Sequence, residues 1–180
     1  MKTTRLILVT AICLAAPIAG RAQSSTANPV VASAQEIFNR QSKYIVASAA
    51  EMPGDKYSYR PTPEQWTFGK VISHVAQANF FVCAILSDTP APQNWKVTET
   101  DPKEKLAPAL QASLDFCSQV LMNLQDSKLG DTVKFIGGRQ VPRARALLEL
   151  TDDLEDHYSQ LASYLRLNGM LPPSVAPPKQ

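Results

Sequence analysis

"TDDLEDHYSQLASYLRLNG", residues 151–169, reads as a helix that must bury one face, yet it opens on acidic residues and a histidine. Each helical residue turns its side chain by about 100°. On that wheel Leu147, Leu150, Leu154, Tyr158, Leu161 and Leu165 make one apolar stripe. Asn168 and Gly169 supply a stop, and the pattern reaches back to about Pro142. With Leu154 at the centre of the stripe, His157 lies about 60° to one side and Asp153 about 100° to the same side. The two are four residues apart, so they stack along one edge of the buried face. Asp152 and Asp156 fall near the opposite side and read as solvated charge.

Working outward, three more amphipathic segments precede this one. Residues 30–50 repeat apolar side chains at helical spacing through Val31, Ala34, Ile37, Phe38, Tyr44, Ile45 and Ala49. "EMPGDKYSYRPTPEQW" then breaks the pattern with Pro53, Gly54, Pro61 and Pro63. The second helix starts at Pro63, capped by Thr62, or at Thr67, and runs to about Leu86. Its stripe is Phe68, Val71, Val75, Val82 and Leu86. The third covers residues 103–124, from Asp101 or Pro102, with Pro108 early enough to be tolerated. "TVKFI" at 132–136 predicts a short extended piece, followed by a turn at Gly137-Gly138. Four amphipathic helices and no strand-rich region predict an all-α four-helix bundle.

The only other histidine lies in "GKVISHVAQANFF". Relative to Val75, His74 sits about 100° to one side, on an edge shared with Ala78, Phe81 and Ile85. A histidine among apolar neighbours needs partners for its ring nitrogens. Two imidazoles and a carboxylate can hold a divalent ion, so His74, Asp153 and His157 are candidate ligands for Zn, Ni, Fe or Mn. The competing reading is a plain His–Asp hydrogen bond at the edge of the bundle. Spacing alone leaves both open, because Asp-x-x-x-His on a helix is a weak signature.

The start of the chain, "MKTTRLILVTAICLAAPIAGRAQSS", has the form of an export signal. Lys2 and Arg5 precede an apolar run, and Gly20 and Ala22 precede a cleavage point before Gln23. The run is too short to span a bilayer, which takes about 20 residues. The expected layout is a signal peptide at 1–22, a flexible lead-in at 23–29, the helical domain at 30–170 and a loose proline-rich tail at 171–180. The expected location is periplasmic or secreted, with no membrane attachment after cleavage. Loss of Lys2, Arg5 and Arg21 takes the 18 Lys and Arg to 15, against 16 Asp and Glu. A near-neutral chain without a basic stripe does not fit a nucleic-acid partner. Cys83 and Cys117 remain as an even pair in an oxidising compartment, either bridged or packed as small hydrophobes.

Two blocks, "YSYRPTPEQWTFGKVISHVAQANFFVC" at 57–83 and "DDLEDHYSQLASYLRLNGMLPP" at 152–173, resemble the DinB-like superfamily of four-helix proteins, which includes YfiT-like metalloenzymes. In that family an "RPtp…tfgel…H" segment sets one histidine on the second helix, and a late helix carries HxxxH followed by Y-G-Q-L…Y-L-R…G…P-P. His74 matches the first ligand and His157 the last. Tyr158, Gln160, Leu161, Tyr164, Leu165, Arg166, Asn168, Gly169, Pro172 and Pro173 follow the tail of the pattern. Asp153 stands where the middle histidine is usual, and Ser159 where glycine is common. The substitution implies either a 2-His-1-carboxylate site or a weakened one, with the shorter carboxylate drawing the ion toward the last helix or reaching it through water. The resemblance also implies an up-down-down-up bundle with long crossover loops at 87–102 and 125–141.

The implied function is an exported metal-binding protein with metal-dependent transferase or hydrolase activity on a small molecule, a thiol among the expected partners. Asp156, Glu155 and Tyr158 are candidate proton carriers. The alternative is a non-catalytic exported bundle that binds a ligand or a protein, and a homodimer is compatible with either. No nucleophile elbow, P-loop or dinucleotide fingerprint is present, and "FIGGR" reads as a turn. Trp66 and Trp95 flank the second helix as pocket-lining or packing residues.

Overall fold

The computed structural model describes residues 27–92 and 96–175. The expected signal peptide, most of the expected lead-in, residues 93–95 with Trp95, and the last five residues lie outside this set. Four helices carry the fold: α1 Pro29–Glu51, α2 Phe68–Ser87, α3 Lys103–Asn123 and α4 Arg143–Leu167. Between α3 and α4 lies a small antiparallel hairpin of β1 Thr132–Lys134 and β2 Gln140–Pro142. Its register pairs Thr132 with Pro142, Val133 with Val141 and Lys134 with Gln140. Gly137 and Gly138 turn the chain there at φ of 67° and 77°, a region open to glycine.

Pairs of touching residues fix the helix directions. Arg40 and Tyr44 of α1 meet Glu155 and Tyr158 of α4, so these two run parallel. Asn79 and Cys83 of α2 meet Ser113 and Cys117 of α3, so these run parallel too. Between α2 and α4, His74 meets Asp153 while Leu86 meets Arg143, which is antiparallel. Lys103 at the start of α3 reaches Ala50 at the end of α1, again antiparallel. The bundle is therefore up-down-down-up. α2 packs between α3 and α4, α1 closes the ring against both, and the pairs α1–α2 and α3–α4 face each other across the diagonals.

The apolar stripes meet in one core. Phe38, Ile45, Phe68, Ile72, Val75, Leu106, Leu110, Leu121, Leu147, Leu150, Leu154 and Leu161 are all within 1% of full burial. The bridge Cys83–Cys117 lies inside it, with a Cα separation of 5.4 Å. α2 passes the length and hydropathy test for a membrane span, but most of it is buried in this core.

Local chemistry sets the helix ends and decides between the two expected starts of α2. α2 begins at Phe68, not Pro63, because Thr67 rather than Thr62 caps it, its hydroxyl accepting the Lys70 amide at 3.1 Å. α4 begins at Arg143 rather than Pro142, which is spent on the hairpin. At its far end Gly169 at φ 75° closes a Schellman turn, with Gly169 N bonding Arg166 O and Met170 N bonding Leu165 O. Of the predicted tail, Pro172 is buried, and Ser174 N donates to Tyr158 Oη at 2.9 Å.

Candidate metal centre

The site is built where the first half of α2 crosses the middle of α4. The segment before α2 is fastened tightly. Phe68 N and Gly69 N donate to Tyr59 O and Tyr57 O at 2.8 and 2.7 Å. Gly69 has no room for a side chain, since a Cβ there would lie 3.0 Å from Glu99 O and 3.2 Å from Tyr57 O. Tyr164 of α4 donates its hydroxyl to Trp66 O at 2.8 Å. That bond sets the indole against both histidines: its centroid is 5.7 Å from His157, nearly parallel, and 5.0 Å from His74.

His74, Asp153 and His157 come together at this point. Asp153 Oδ1 is 3.3 Å from His74 Nε2 and 3.4 Å from His157 Nε2. The two rings lie edge to face with centroids 4.7 Å apart. One ligating atom from each residue falls within 4.8 Å of the others. Exposure is graded across the trio, with side chains 40% exposed at His74, 20% at Asp153 and 7% at His157. The open side of the site is thus the His74 side.

Electrostatics bind the three. Burial works against charge on Asp153, but hydrogen bonds from His157 and His74 and their positive charge outweigh it and hold the carboxyl down at about 2. Burial likewise opposes charge on His157, yet the hydrogen bond and charge of Asp153, with Gln160 and Asp156 behind, raise its pKa. His157 Nδ1 lies 3.0 Å from Gln160 Oε1. An amide oxygen only accepts, so Nδ1 carries a proton there, and in the charged ring Nε2 carries a second one toward Asp153, the proton that a metal ion would replace. Loss of that second proton leaves the tautomer a metal ligand needs.

The donor set fits a divalent ion. A tetrahedral ion with bonds of about 2.0–2.2 Å holds neighbouring ligand atoms about 3.3–3.5 Å apart, and the two nitrogen–oxygen separations match that. Asp153 Oδ2 is buried without a hydrogen-bond partner, an acceptor that a nearby cation would satisfy. The carboxylate, though shorter than imidazole, comes this close to both nitrogens directly, so the spacing calls for no bridging water.

The proposed proton carriers do not converge on this point. Glu155 turns to α1, where it meets Arg40 and Gln41. Tyr158 stacks on Tyr44 of α1 with ring centroids 4.9 Å apart and accepts from Ser174. Asp156 is exposed, 4.0 Å from His157 Nδ1 on the side away from Asp153. The residues that do surround the site are Trp66 and Gln160. Gln160 stands three residues after His157, the spacing at which helical neighbours touch, a signal that becomes legible only once Nδ1 needs a partner. A cavity of about 580 Å³ opens elsewhere, at the C-terminal ends of α2 and α3, and includes none of the three.

Comparison with known proteins places the fold. The family model of the DinB superfamily matches residues 37–161. The chain belongs to the DinB superfamily. A DinB-like protein from Bacillus cereus superposes with a TM-score of 0.66 at 16% identity, over 79% of this chain and 95% of that one. A conserved protein from Enterococcus faecalis gives 0.63 at 19% identity, over 77% and 96%. A mycothiol-dependent maleylpyruvate isomerase gives 0.60 at 14% identity, over 73% of this chain and 60% of that one. No curated protein sequence matches the chain. At these identities the structural matches speak for the DinB fold, and the DinB assignment itself rests on the family model.

Proposed function

We propose that this DinB-family chain is an exported metal-dependent hydrolase or transferase acting on a small molecule, with His74, Asp153 and His157 holding a divalent ion. One observation carries the reading: a single carboxylate oxygen stands at ligand spacing from two Nε2 atoms while its partner oxygen is buried and unpaired. Bound there, the ion would acidify a water or polarise a carbonyl. The protein's own groups do the rest. Gln160 holds the Nδ1 proton of His157, Trp66 shields the inner side, and partly exposed His74 marks where a small molecule approaches. The buried Cys83–Cys117 bridge supports an oxidising compartment, and that setting favours water over a thiol as the nucleophile. The isomerase among the structural matches uses mycothiol, which keeps thiol transfer as the finer alternative.

The test is metal content. Tag-free mature protein is incubated with Zn, Ni, Fe or Mn, desalted and measured by elemental analysis beside Asp153→Ala and His157→Ala. The expected result is about one ion per chain in the parent and little in either variant. Equal metal in all three would place the ion elsewhere. A parent with no metal would leave the non-catalytic bundle, since the trio is already hydrogen-bonded to itself.

A further inference from the structure

Lys70 lies in the first turn of α2, which holds no acidic residue. The positive end of the helix dipole disfavours a cation there. Its ion pair is with Glu99, 3.0 Å away, and the two side chains are 38% and 50% exposed. Pairs this exposed contribute little to stability. A residue that breaks a local rule with so small a structural return belongs to the class found at functional sites.

Its position gives the rule-breaking a use. Lys70 is four residues before His74, one turn away on the same face of α2. Its ammonium lies 5.2 Å over the ring of Trp66, the ring that packs on His74 and His157. It stands on the N-terminal side of His74, the most exposed of the three proposed ligands. It already grips a carboxylate, that of Glu99, which comes from the loop before α3.

We propose that Lys70 selects the substrate. The small molecule that meets the ion carries a carboxylate, and this carboxylate displaces Glu99 from Lys70 while a second polar group of the same molecule reaches the metal. Glu99 is then an internal competitor that holds Lys70 in place until substrate arrives. The inference rests on the metal reading above.

The experiment uses the full mature protein loaded with Co²⁺, whose visible absorption reports a carboxylate entering the metal's coordination. Succinate, with a second carboxylate to offer Lys70, is titrated against acetate, which has none. The parent is expected to prefer succinate by about five-fold or more, a gain of the size one new charge contact brings. Lys70→Met should abolish that preference and leave acetate binding unchanged. Lys70→Arg should keep most of it, and Glu99→Gln should strengthen it. An equal succinate-to-acetate ratio in the parent and Lys70→Met, both loaded with Co²⁺, would overturn the role of Lys70 and leave the metal site standing. Failure of the parent to take up Co²⁺ would remove both readings together. Should Lys70→Met not fold, Glu99→Gln decides: no tightening of succinate relative to acetate would also overturn the proposal.

Discussion

At the scale of single residues, the protein spends its two histidines and one selected aspartate on a single point. The helix wheel of 151–169 separated Asp153 from Asp152 and Asp156, and the structure has Asp153 half-buried and the other two exposed. The wheel could not show that His74, 79 residues away in sequence, would meet the same carboxylate oxygen. It also gave Gln160 no role, because a glutamine at i+3 matters only once the histidine's other nitrogen has a task. Gln160→Leu should weaken metal binding about 10–100-fold, the usual effect of removing a partner that orients a ligating imidazole. Gln160→Glu should restore it, with both read by competition against a chelating dye. Asp153 adds a pH dependence to the metal-free protein. Its folded-state value of about 2 lies below the ordinary 3.8, so its contribution is complete above the ordinary value and disappears as pH falls through the folded one. The stability gap between the EDTA-treated parent and Asp153→Asn, from urea midpoints, should therefore narrow steadily from pH 4 toward pH 2. A gap unchanged over that range would mean the carboxylate is not held by the histidines.

At the scale of elements, the helices and nearly all of their ends were legible from the stripes, but the side chains that close three of those ends were not. Apolar periodicity is a property of the helix itself, whereas three of the ends are closed by side chains from far along the chain. Asp126 accepts Val30 N and Val31 N at the start of α1, each at 2.9 Å, and its own amide donates to Asn28 Oδ1. Lys103 donates to Ala50 O and Met52 O at the end of α1. Arg143, with a side chain 7% exposed, donates to Ile85 O and Leu86 O at the end of α2 and pairs with Asp88. None of these is a local signal; the start of α2 is one, and there Thr67 caps the helix in place of Thr62, the cap expected for a start at Pro63. Arg143 is the costliest to remove, since truncation strands one buried and one partly buried carbonyl and leaves a void. Arg143→Ala should lower stability by about 2–4 kcal/mol. Asp126→Ala, a half-buried cap, should cost about 1 kcal/mol. Chemical denaturation of the two variants measures the difference, and equal losses would show that Arg143 is not the lock on α2.

At the scale of the whole molecule, the up-down-down-up order leaves one consecutive pair, α2 and α3, running parallel with a long crossover between them. A short turn cannot join parallel neighbours, so side chains must fix their register. Cys83–Cys117 and the bond from Asn79 Nδ2 to Ser113 Oγ do this one turn apart, inside the core. The sequence offered the two cysteines as bridged or packed and could not decide, because the choice depends on a distance that the crossover loop sets. The bridge closes a loop with a separation of 34 residues, so chain entropy gives it about 3–4 kcal/mol of stabilisation. Both cysteines are 0% exposed, so reductant should act on the unfolded chain rather than on the native one. Urea unfolding with reductant present is thus expected to shift to lower midpoint by that amount and to match Cys83→Ala/Cys117→Ala. Native protein held in reductant without urea should keep its thiols unreactive to a maleimide label. Rapid labelling under native conditions, or a double variant as stable as the parent, would show that packing alone sets the register of α2 on α3. The proposed metal centre lies on the other seam of α2, and it should lose no affinity in the double variant if α4 and the anchored segment before α2 are what hold it.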